Sequence, residues 1–275
     1  MIYDRIGTTY NTTRRPDPRI AQVIWSALAG CRSVLNVGAG TGAYEPADRT
    51  VVAVEPSATM RRARPEGSAP CVAAPAESLP FDDRSFDAAM AVLTVHHWSD
   101  WRAGLGELRR VARRRVLVVH WDQALIDQFW LAGYFPEAFA LDRRRGPSLQ
   151  EVRDALDPGT DVVPLPVPHD CQDGFGAAYW RRPQAYLDPA VRAGISMLAQ
   201  TEHERGDGVE RLRRDLSDGT WAARHRALLT RTELDCGYRL VVRPIASTDL
   251  GSIRSLLERG PHSQPAGTRA RLTAC

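Results

Sequence analysis

Short, fully apolar runs alternate with amphipathic or polar stretches over the first 120 residues of the chain. The apolar runs cover 33–37, 51–54, 70–74, 86–95 and 116–119. Strands that are apolar along their whole length are typical of a parallel sheet covered by helices on both faces. Apolar residues recur at helical spacing between Pro18 and Gly30 and again over about 101–113, which predicts two helices. The alternation as a whole predicts an α/β fold with a mostly parallel sheet.

Composition narrows the class of protein. The 275 residues are 43% hydrophobic and 25% charged, which is typical of a globular chain and excludes a disordered or fibrous one. No apolar stretch approaches the roughly eighteen residues of a membrane span, and the start has no signal-peptide pattern. We therefore expect a cytoplasmic protein without a membrane partner.

Cysteine spacing and charge exclude two further kinds of site. The five cysteines are scattered and form no CxxC pair, so the sequence predicts no metal site and no disulfide framework. All 36 basic side chains are arginines, nearly balanced by 33 acidic ones, and the net charge is only +3. This balance disfavours nucleic acid as a partner. No feature predicts an oligomeric state.

A glycine cluster, Gly38-Ala39-Gly40-Thr41-Gly42, follows the first predicted strand. Glycine lets the backbone approach a ligand closely, and the start of a following helix offers unpaired N–H groups. Glu55 ends the second predicted strand, where a carboxylate can accept both ribose hydroxyls of an adenosine. The loop and Glu55 fit NAD and S-adenosylmethionine equally.

Four sequence segments carry a family resemblance. They are VLNVGAGTG, VVAVEPS, AESLPFDDRSFDAAMAVLTVHHW and ELRRVARRRVLVV, in that order over about residues 30–120. As a set they resemble the class I S-adenosylmethionine-dependent methyltransferases, in particular the type 11, ubiquinone/menaquinone methyltransferase-like group. The resemblance implies S-adenosyl-L-methionine as cofactor. Asn36 departs from the pattern, because many members carry an acidic residue there; asparagine keeps the hydrogen bonds and loses the charge.

The resemblance also implies a fold and a division of the chain. The fold is Rossmann-like and doubly wound, with a mostly parallel seven-stranded sheet, an antiparallel last strand and a helical lid or insertion. The expected parts are an N-terminal helical cap segment over 1–29, a cofactor-binding core over 30–121, a helical acceptor or lid region over 122–237 with one core strand at about 161–167, a final strand and C-terminal core over 238–259, and a disordered tail over 260–275.

Cofactor contacts are implied on several loops at one edge of the sheet. The resemblance places Gly38, Ala39 and Gly40 under the methionine part, Glu55 at the ribose, Pro56 and Met60 beside the adenine, Ala76 and Glu77 on its amine side, Leu93 near the sulfonium, and Tyr10 and Arg15 over the cofactor and at its carboxylate.

Histidines that follow two of the predicted strands are candidates for contact with the methyl acceptor. Methyl transfer is an in-line displacement, so alignment contributes most, and a base helps chiefly when the acceptor is a hydroxyl. His96 and His97 follow the fourth strand and are the candidate catalytic bases. The alternative is that one bonds the backbone while the other packs. His120 and Trp121, beyond the fifth strand, are candidate acceptor contacts with the same alternative.

The segment between the sixth and last strands is similar to the acceptor-covering part of trans-aconitate methyltransferase-like enzymes. That similarity implies that Tyr179, Trp180 and Arg181 face the acceptor, with Arg181 able to pair a carboxylate or phosphate. An aromatic stripe on a helix is also typical of a core.

The sequence therefore predicts an S-adenosylmethionine-dependent methyltransferase acting on oxygen, nitrogen or carbon of a small-molecule acceptor. Two alternatives stay open. One is a non-methylating S-adenosylmethionine-binding protein, such as a cyclase, a sensor or a partner subunit, which Asn36 favours. The other is an NAD-dependent oxidoreductase, which would share Gly38, Gly40 and Glu55 but needs a hydride-transfer constellation that the sequence does not display.

Overall fold

A seven-stranded sheet forms the centre of the computed structural model, which describes residues 14–157, 159–202 and 206–245. Its strands are β1 (Ser33–Val37), β2 (Thr50–Val54), β3 (Cys71–Val72), β4 (Phe86–Val92), β5 (Ala112–Trp121), β6 (Asp161–Pro164) and, after two strands of a second sheet, β9 (Tyr238–Pro244). The order is β3-β2-β1-β4-β5-β9-β6. Strand β9 runs antiparallel to both neighbours, and the pairs among β1 to β5 are parallel. The predicted Rossmann-like fold is confirmed.

The point where strand order reverses locates the ligand-binding edge. Strand β1 pairs with β2 on one side and with β4 on the other, so Asn36 lies opposite Ala53 and Met90. Open α/β sheets bind ligands at such a switch point, beyond the carboxyl ends of the strands. The loops after β1, β2 and β4 therefore face one crevice.

Helices cover both faces of the sheet. They are α1 (Pro18–Ala27), α2 (Ala58–Arg62), α3 (Trp101–Val111), α4 (Gln123–Ile126), α5 (Pro136–Arg145), α6 (Leu149–Leu156), α7 (Pro189–Ala193), α8 (Ser196–Gln200), α9 (Gly208–Ser217) and α10 (Thr220–Arg224), with 3₁₀ turns at Val95–His97, Trp130–Gly133, Pro183–Leu187 and Arg226–Leu228. Helix α1 begins where the sequence predicts, because Pro18 occupies its first turn and Asp17 caps it by accepting from the Arg19 N–H.

Alternate residues of the central strands pack into two separate hydrophobic cores, one on each face of the sheet. Val34 and Met90 pack into the core that also holds the aromatic side chains of the second half, whereas Leu35 and Ala89 pack against α3 and α6. Successive side chains of a strand point to opposite faces, so an unbroken apolar run is what a sheet covered on both faces requires.

The apolar run 162–167 differs from the prediction of one strand. It divides into β6 in the main sheet and β7 (Val167–Pro168), which pairs with β8 (Glu233–Leu234) in a separate two-stranded sheet. Prolines at 164 and 166 cannot donate to a ladder, and only the Leu165 N–H between them bonds Tyr238 O, at 2.9 Å. The proline spacing therefore ends the main-sheet pairing.

The tail over 260–275 and Tyr10 lie outside the described residues, as do residues 1–13 of the predicted cap segment and 246–259 of the predicted C-terminal core. Within the described part of the chain, no helix is both long enough and apolar enough to cross a membrane. The division of the chain into cap, core and lid stays a prediction.

Candidate functional site

The glycine loop folds tightly over the ends of β2 and β4. Gly38 has φ +68°, and a Cβ there would lie 2.2 Å from Thr94 Oγ1. The N–H groups of Gly38 and Ala39 both donate to Val54 O, at 2.9 and 3.0 Å. A side chain at position 38 would clash and would strain the backbone, so only glycine fits this approach.

Glu55 is held between this loop and the start of α2. Its Oε2 accepts from the Gly40 N–H at 2.9 Å, and its Oε1 accepts from the Ser57 N–H at 2.8 Å. Burial raises the pKa of Glu55, and the two backbone donors oppose that rise. Each carboxylate oxygen has lone-pair capacity for a further donor. Glu55 is therefore a fixed acceptor at the end of β2.

Asn36 is fixed by a carboxylate from the loop. Its Nδ2 donates to Glu45 Oε1 at 3.0 Å, and Glu45 also pairs with Arg64 at 2.8 Å. Because a carboxylate can only accept, this contact assigns Nδ2 to Glu45 and leaves Oδ1 of Asn36 as an acceptor. Asn36 thus offers an oxygen where an acidic residue would offer a carboxylate.

The glycine loop, Glu55 and the end of β4 enclose a cavity of about 520 Å³, which we call the glycine-loop cavity. It is lined by Arg14, Asn36, Gly38, Ala39, Gly40, Thr41, Ala43, Tyr44, Glu55, Met60, Val92, Leu93 and Thr94.

A second cavity of about 580 Å³ adjoins it, which we call the histidine cavity. It is lined by Arg14, Leu93, His96, His97, Trp121, Asp142, Phe175, Gly176, Gly194, Ile195, Ser196, Met197 and Tyr238. Arg14 and Leu93 line both cavities. Leu93 has φ +52°, and its N–H donates to Val119 O at 2.9 Å, so a hydrogen bond to β5 holds this strained backbone between the cavities.

A buried ion pair ties the segment before α1 to the loop after β7. Arg14 Nε donates to Asp173 Oδ1 at 2.6 Å, and the Tyr44 hydroxyl donates to Asp173 Oδ2 at 2.8 Å. The Asp173 side chain is completely buried, and that of Arg14 is 11% exposed. Through this pair Arg14, which lines both cavities, is held by a buried carboxylate.

Burial keeps the histidines of the site neutral. The His96 and His97 rings lie 3.8 Å apart between centroids in the 3₁₀ turn. Burial, with Arg14 and Arg145 nearby, lowers the pKa of His96 to about 4, and burial beside His96 lowers the pKa of His97 further below its usual value. His120 has a pKa of about 4, also through burial. At neutral pH these imidazoles are uncharged hydrogen-bonding groups.

Six of the predicted cofactor residues line the glycine-loop cavity: Gly38, Ala39, Gly40, Glu55, Met60 and Leu93. Arg15 is exposed, and its neighbour Arg14 faces the site instead. The segment 14–17 is not helical, so no periodicity in the sequence could distinguish the two arginines.

Three more predicted cofactor residues lie away from the lining of this cavity. Ala76 is buried in the sheet core. Glu77 Oε1 accepts from Ser99 Oγ at 2.8 Å and from the Asp100 N–H at 3.0 Å. Pro56 is half-buried, and its carbonyl accepts from Arg61. The first contacts of Glu77 and Pro56 are thus with neighbouring protein groups.

Some of the predicted acceptor residues line the histidine cavity and others do not. His96, His97 and Trp121 line the histidine cavity, whereas His120 is buried behind it, where Nε2 donates to Pro147 O at 2.9 Å. Tyr179, Trp180 and Arg181 line neither cavity.

The contacts of that last group explain its position. Trp180 is completely buried, and its Nε1 donates to Val167 O at 2.9 Å. Arg181 Nη1 donates to Arg231 O at 2.6 Å. Tyr179 is half-buried and packs against Tyr186 and Arg182. The aromatic side chains at 179 and 180 pack against protein groups, as the core alternative expects.

Sequence reasoning did not identify Asp142, Phe175 or Tyr238 as part of the site. They come from α5, from the loop after β7 and from the start of β9. No local motif marks them, because the tertiary fold alone brings these segments together. One signal could have suggested Tyr238: it is the first residue of β9, and there it pairs with Trp121, the last residue of β5.

Comparisons with known proteins identify the family. The family model of the type 11 methyltransferase domain matches residues 35–119. A crystal structure from Anabaena variabilis, described as a methyltransferase of an antibiotic biosynthesis pathway, is 33% identical, with a TM-score of 0.77; the match covers 83% of this chain and 98% of that one. The chain belongs to the class I S-adenosylmethionine-dependent methyltransferases.

A second relative of this methyltransferase is YcgJ of Bacillus subtilis, described as an uncharacterized methyltransferase. It is 32% identical over 120 residues, which cover 37% of this chain and 47% of YcgJ. The match therefore spans about half the length of that relative. It supports the family and assigns no acceptor.

Proposed function

We propose that this protein transfers the methyl group of S-adenosylmethionine to oxygen, nitrogen or carbon of a small-molecule acceptor bound in the histidine cavity. The observation that carries the proposal is the meeting of two cavities at Leu93, beyond the carboxyl end of β4. A donor in one cavity and an acceptor in the other would meet there, as an in-line displacement requires.

The residues of the glycine-loop cavity fit the cofactor. The loop of Gly38, Ala39 and Gly40 lines this cavity, and the positive φ of both glycines gives the tight turn that brings the loop to it. Glu55 would accept the ribose hydroxyls, and Asn36 Oδ1 would accept from the ammonium of the methionine part. When bound, the cofactor supplies an electrophilic methyl group on a sulfonium.

The chain's own groups would align the acceptor. Leu93 and Arg14 line both cavities, and the buried Asp173 holds Arg14 in place. His96 and His97 are proposed to face the acceptor as neutral imidazoles, and one of them would accept a hydrogen bond from its nucleophilic group. Their low pKa values make them weak bases, so alignment is the main contribution.

Calorimetric titration of the purified chain with S-adenosylmethionine, S-adenosylhomocysteine and NADH tests this function. We expect the first two to bind with one site per chain and NADH to give no saturable heat. Turnover is then measured as S-adenosylhomocysteine formed with a panel of small-molecule acceptors. Saturable binding of NADH in place of the other two would contradict the proposal and support a dehydrogenase.

A further inference from the structure

The histidine cavity contains one carboxylate that no protein group neutralises by direct contact. Asp142 lies on α5 and lines this cavity. Among the described residues it has no hydrogen bond and no ion pair. Burial raises the pKa of its carboxyl to about 6, so Asp142 is still ionised at pH 7. An ionised carboxylate facing a partly closed cavity attracts a donor of opposite charge.

No other charged group among the described residues contacts Asp142 directly, although the nearby charge of Arg145 opposes the rise that burial causes in its pKa. The guanidinium of Arg14 is already paired with the buried Asp173. His96 and His97 are neutral because burial lowers both pKa values. Arg145, one turn along α5, is exposed to solvent and forms no ion pair with Asp142. Asp142 is therefore a carboxylate in the cavity lining with no hydrogen-bonded or ion-paired partner among the described residues.

Part of the lining of this cavity is aromatic. Trp121 stacks on Tyr238 with ring centroids 5.0 Å apart and an angle of 16° between the rings. Phe175 packs on the same tyrosine at 4.7 Å. A Cβ at Gly176 would lie 3.0 Å from the Trp121 ring, so the backbone holds that ring in place. Rigid aromatic groups beside a carboxylate are the surroundings that bind an organic cation.

We infer that the acceptor carries a basic amine on an apolar body, and that Asp142 binds this amine as an ammonium beside the aromatic wall of Trp121, Phe175 and Tyr238. This inference rests on the proposed function, because it assigns the histidine cavity to the acceptor. It narrows the class of acceptor from any small molecule to a cationic amine. Asp142 is an acceptor-binding residue in this assignment.

Three probes of similar size and different charge test the inference. The full chain, saturated with S-adenosylhomocysteine, is titrated calorimetrically with 2-phenylethylamine, 2-phenylethanol and 3-phenylpropanoate at pH 7.5. We expect the ammonium to bind roughly tenfold or more tightly than the alcohol, and the carboxylate to bind most weakly. In Asp142→Asn, which preserves shape and removes the charge, the preference for the ammonium is expected to fall to about twofold or less.

Glu137→Gln is the matched control. It removes an exposed carboxylate from the same helix, outside the cavity lining, and should preserve the full preference for the ammonium. Equal binding of the three probes, or a preference that survives in Asp142→Asn, would overturn the inference. Failure of S-adenosylhomocysteine itself to bind would instead contradict the proposed function, so the two failures are distinguishable.

Discussion

Replacing Glu55 with alanine is expected to weaken the binding of S-adenosylmethionine by about 1–3 kcal/mol, or roughly 5- to 150-fold in Kd. The carboxylate lies at the switch point of the sheet and holds the Gly40 and Ser57 N–H groups on opposite oxygens. Its removal takes away the acceptor for the ribose and leaves the loop less firmly placed. Calorimetric titration of wild type and variant measures the change.

Glu77→Ala supplies the comparison for this prediction. Glu77 also follows a strand, but its carboxylate bonds Ser99 and Asp100 outside the cavity lining. Its replacement should change the affinity by no more than about twofold. Circular dichroism and the thermal midpoint confirm that both variants fold. Unchanged affinity in a folded Glu55→Ala would remove Glu55 from the cofactor site.

Replacing Asp173 with alanine is expected to lower the free energy of unfolding by about 3–5 kcal/mol. The carboxylate is completely buried and is shared by the guanidinium of Arg14 and the hydroxyl of Tyr44. Without it, a mostly buried positive charge and a buried hydroxyl lose their partner together. Urea denaturation of the wild type and of Asp173→Ala measures the difference in the free energy of unfolding.

Asp170→Ala is the control on the same loop. Asp170 pairs with Arg19, but its side chain is 57% exposed, so water replaces much of the lost interaction. We expect this variant to lose less than about 1 kcal/mol. Equal losses in the two variants would show that the Arg14–Asp173 pair contributes no more than a surface ion pair.

The strands of the sheet could be predicted because each buried strand corresponds to one short run of mostly apolar residues. The run at 33–37 is apolar on both strand faces, and the glycines after it require the turn that the structure shows. Glu55 could be predicted for the same reason, since its place at the end of β2 follows from the run before it. In both cases the information lies within a few neighbouring residues.

The position of Arg14 and the lining of the histidine cavity depend on contacts between residues far apart in the chain. A single sequence does not display such contacts. Arg14 faces the site and Arg15 does not, because Arg14 pairs with Asp173, which lies 159 residues away in the chain. Trp180 is buried and donates to the carbonyl of Val167, so its ring lines neither cavity. Asp142 and Trp121 line one cavity because α5 packs near the end of β5, where Phe139 lies against Trp121. Long-range packing decides each of these positions.

A crystal structure of the complex with S-adenosylhomocysteine would test most directly whether the two cavities hold donor and acceptor. We predict that the ribose hydroxyls contact Glu55 and that the sulfur lies beside Leu93, on the side that opens toward His96 and His97. Product bound away from the glycine loop, or with its sulfur facing away from the histidine cavity, would contradict methyl transfer between these two cavities.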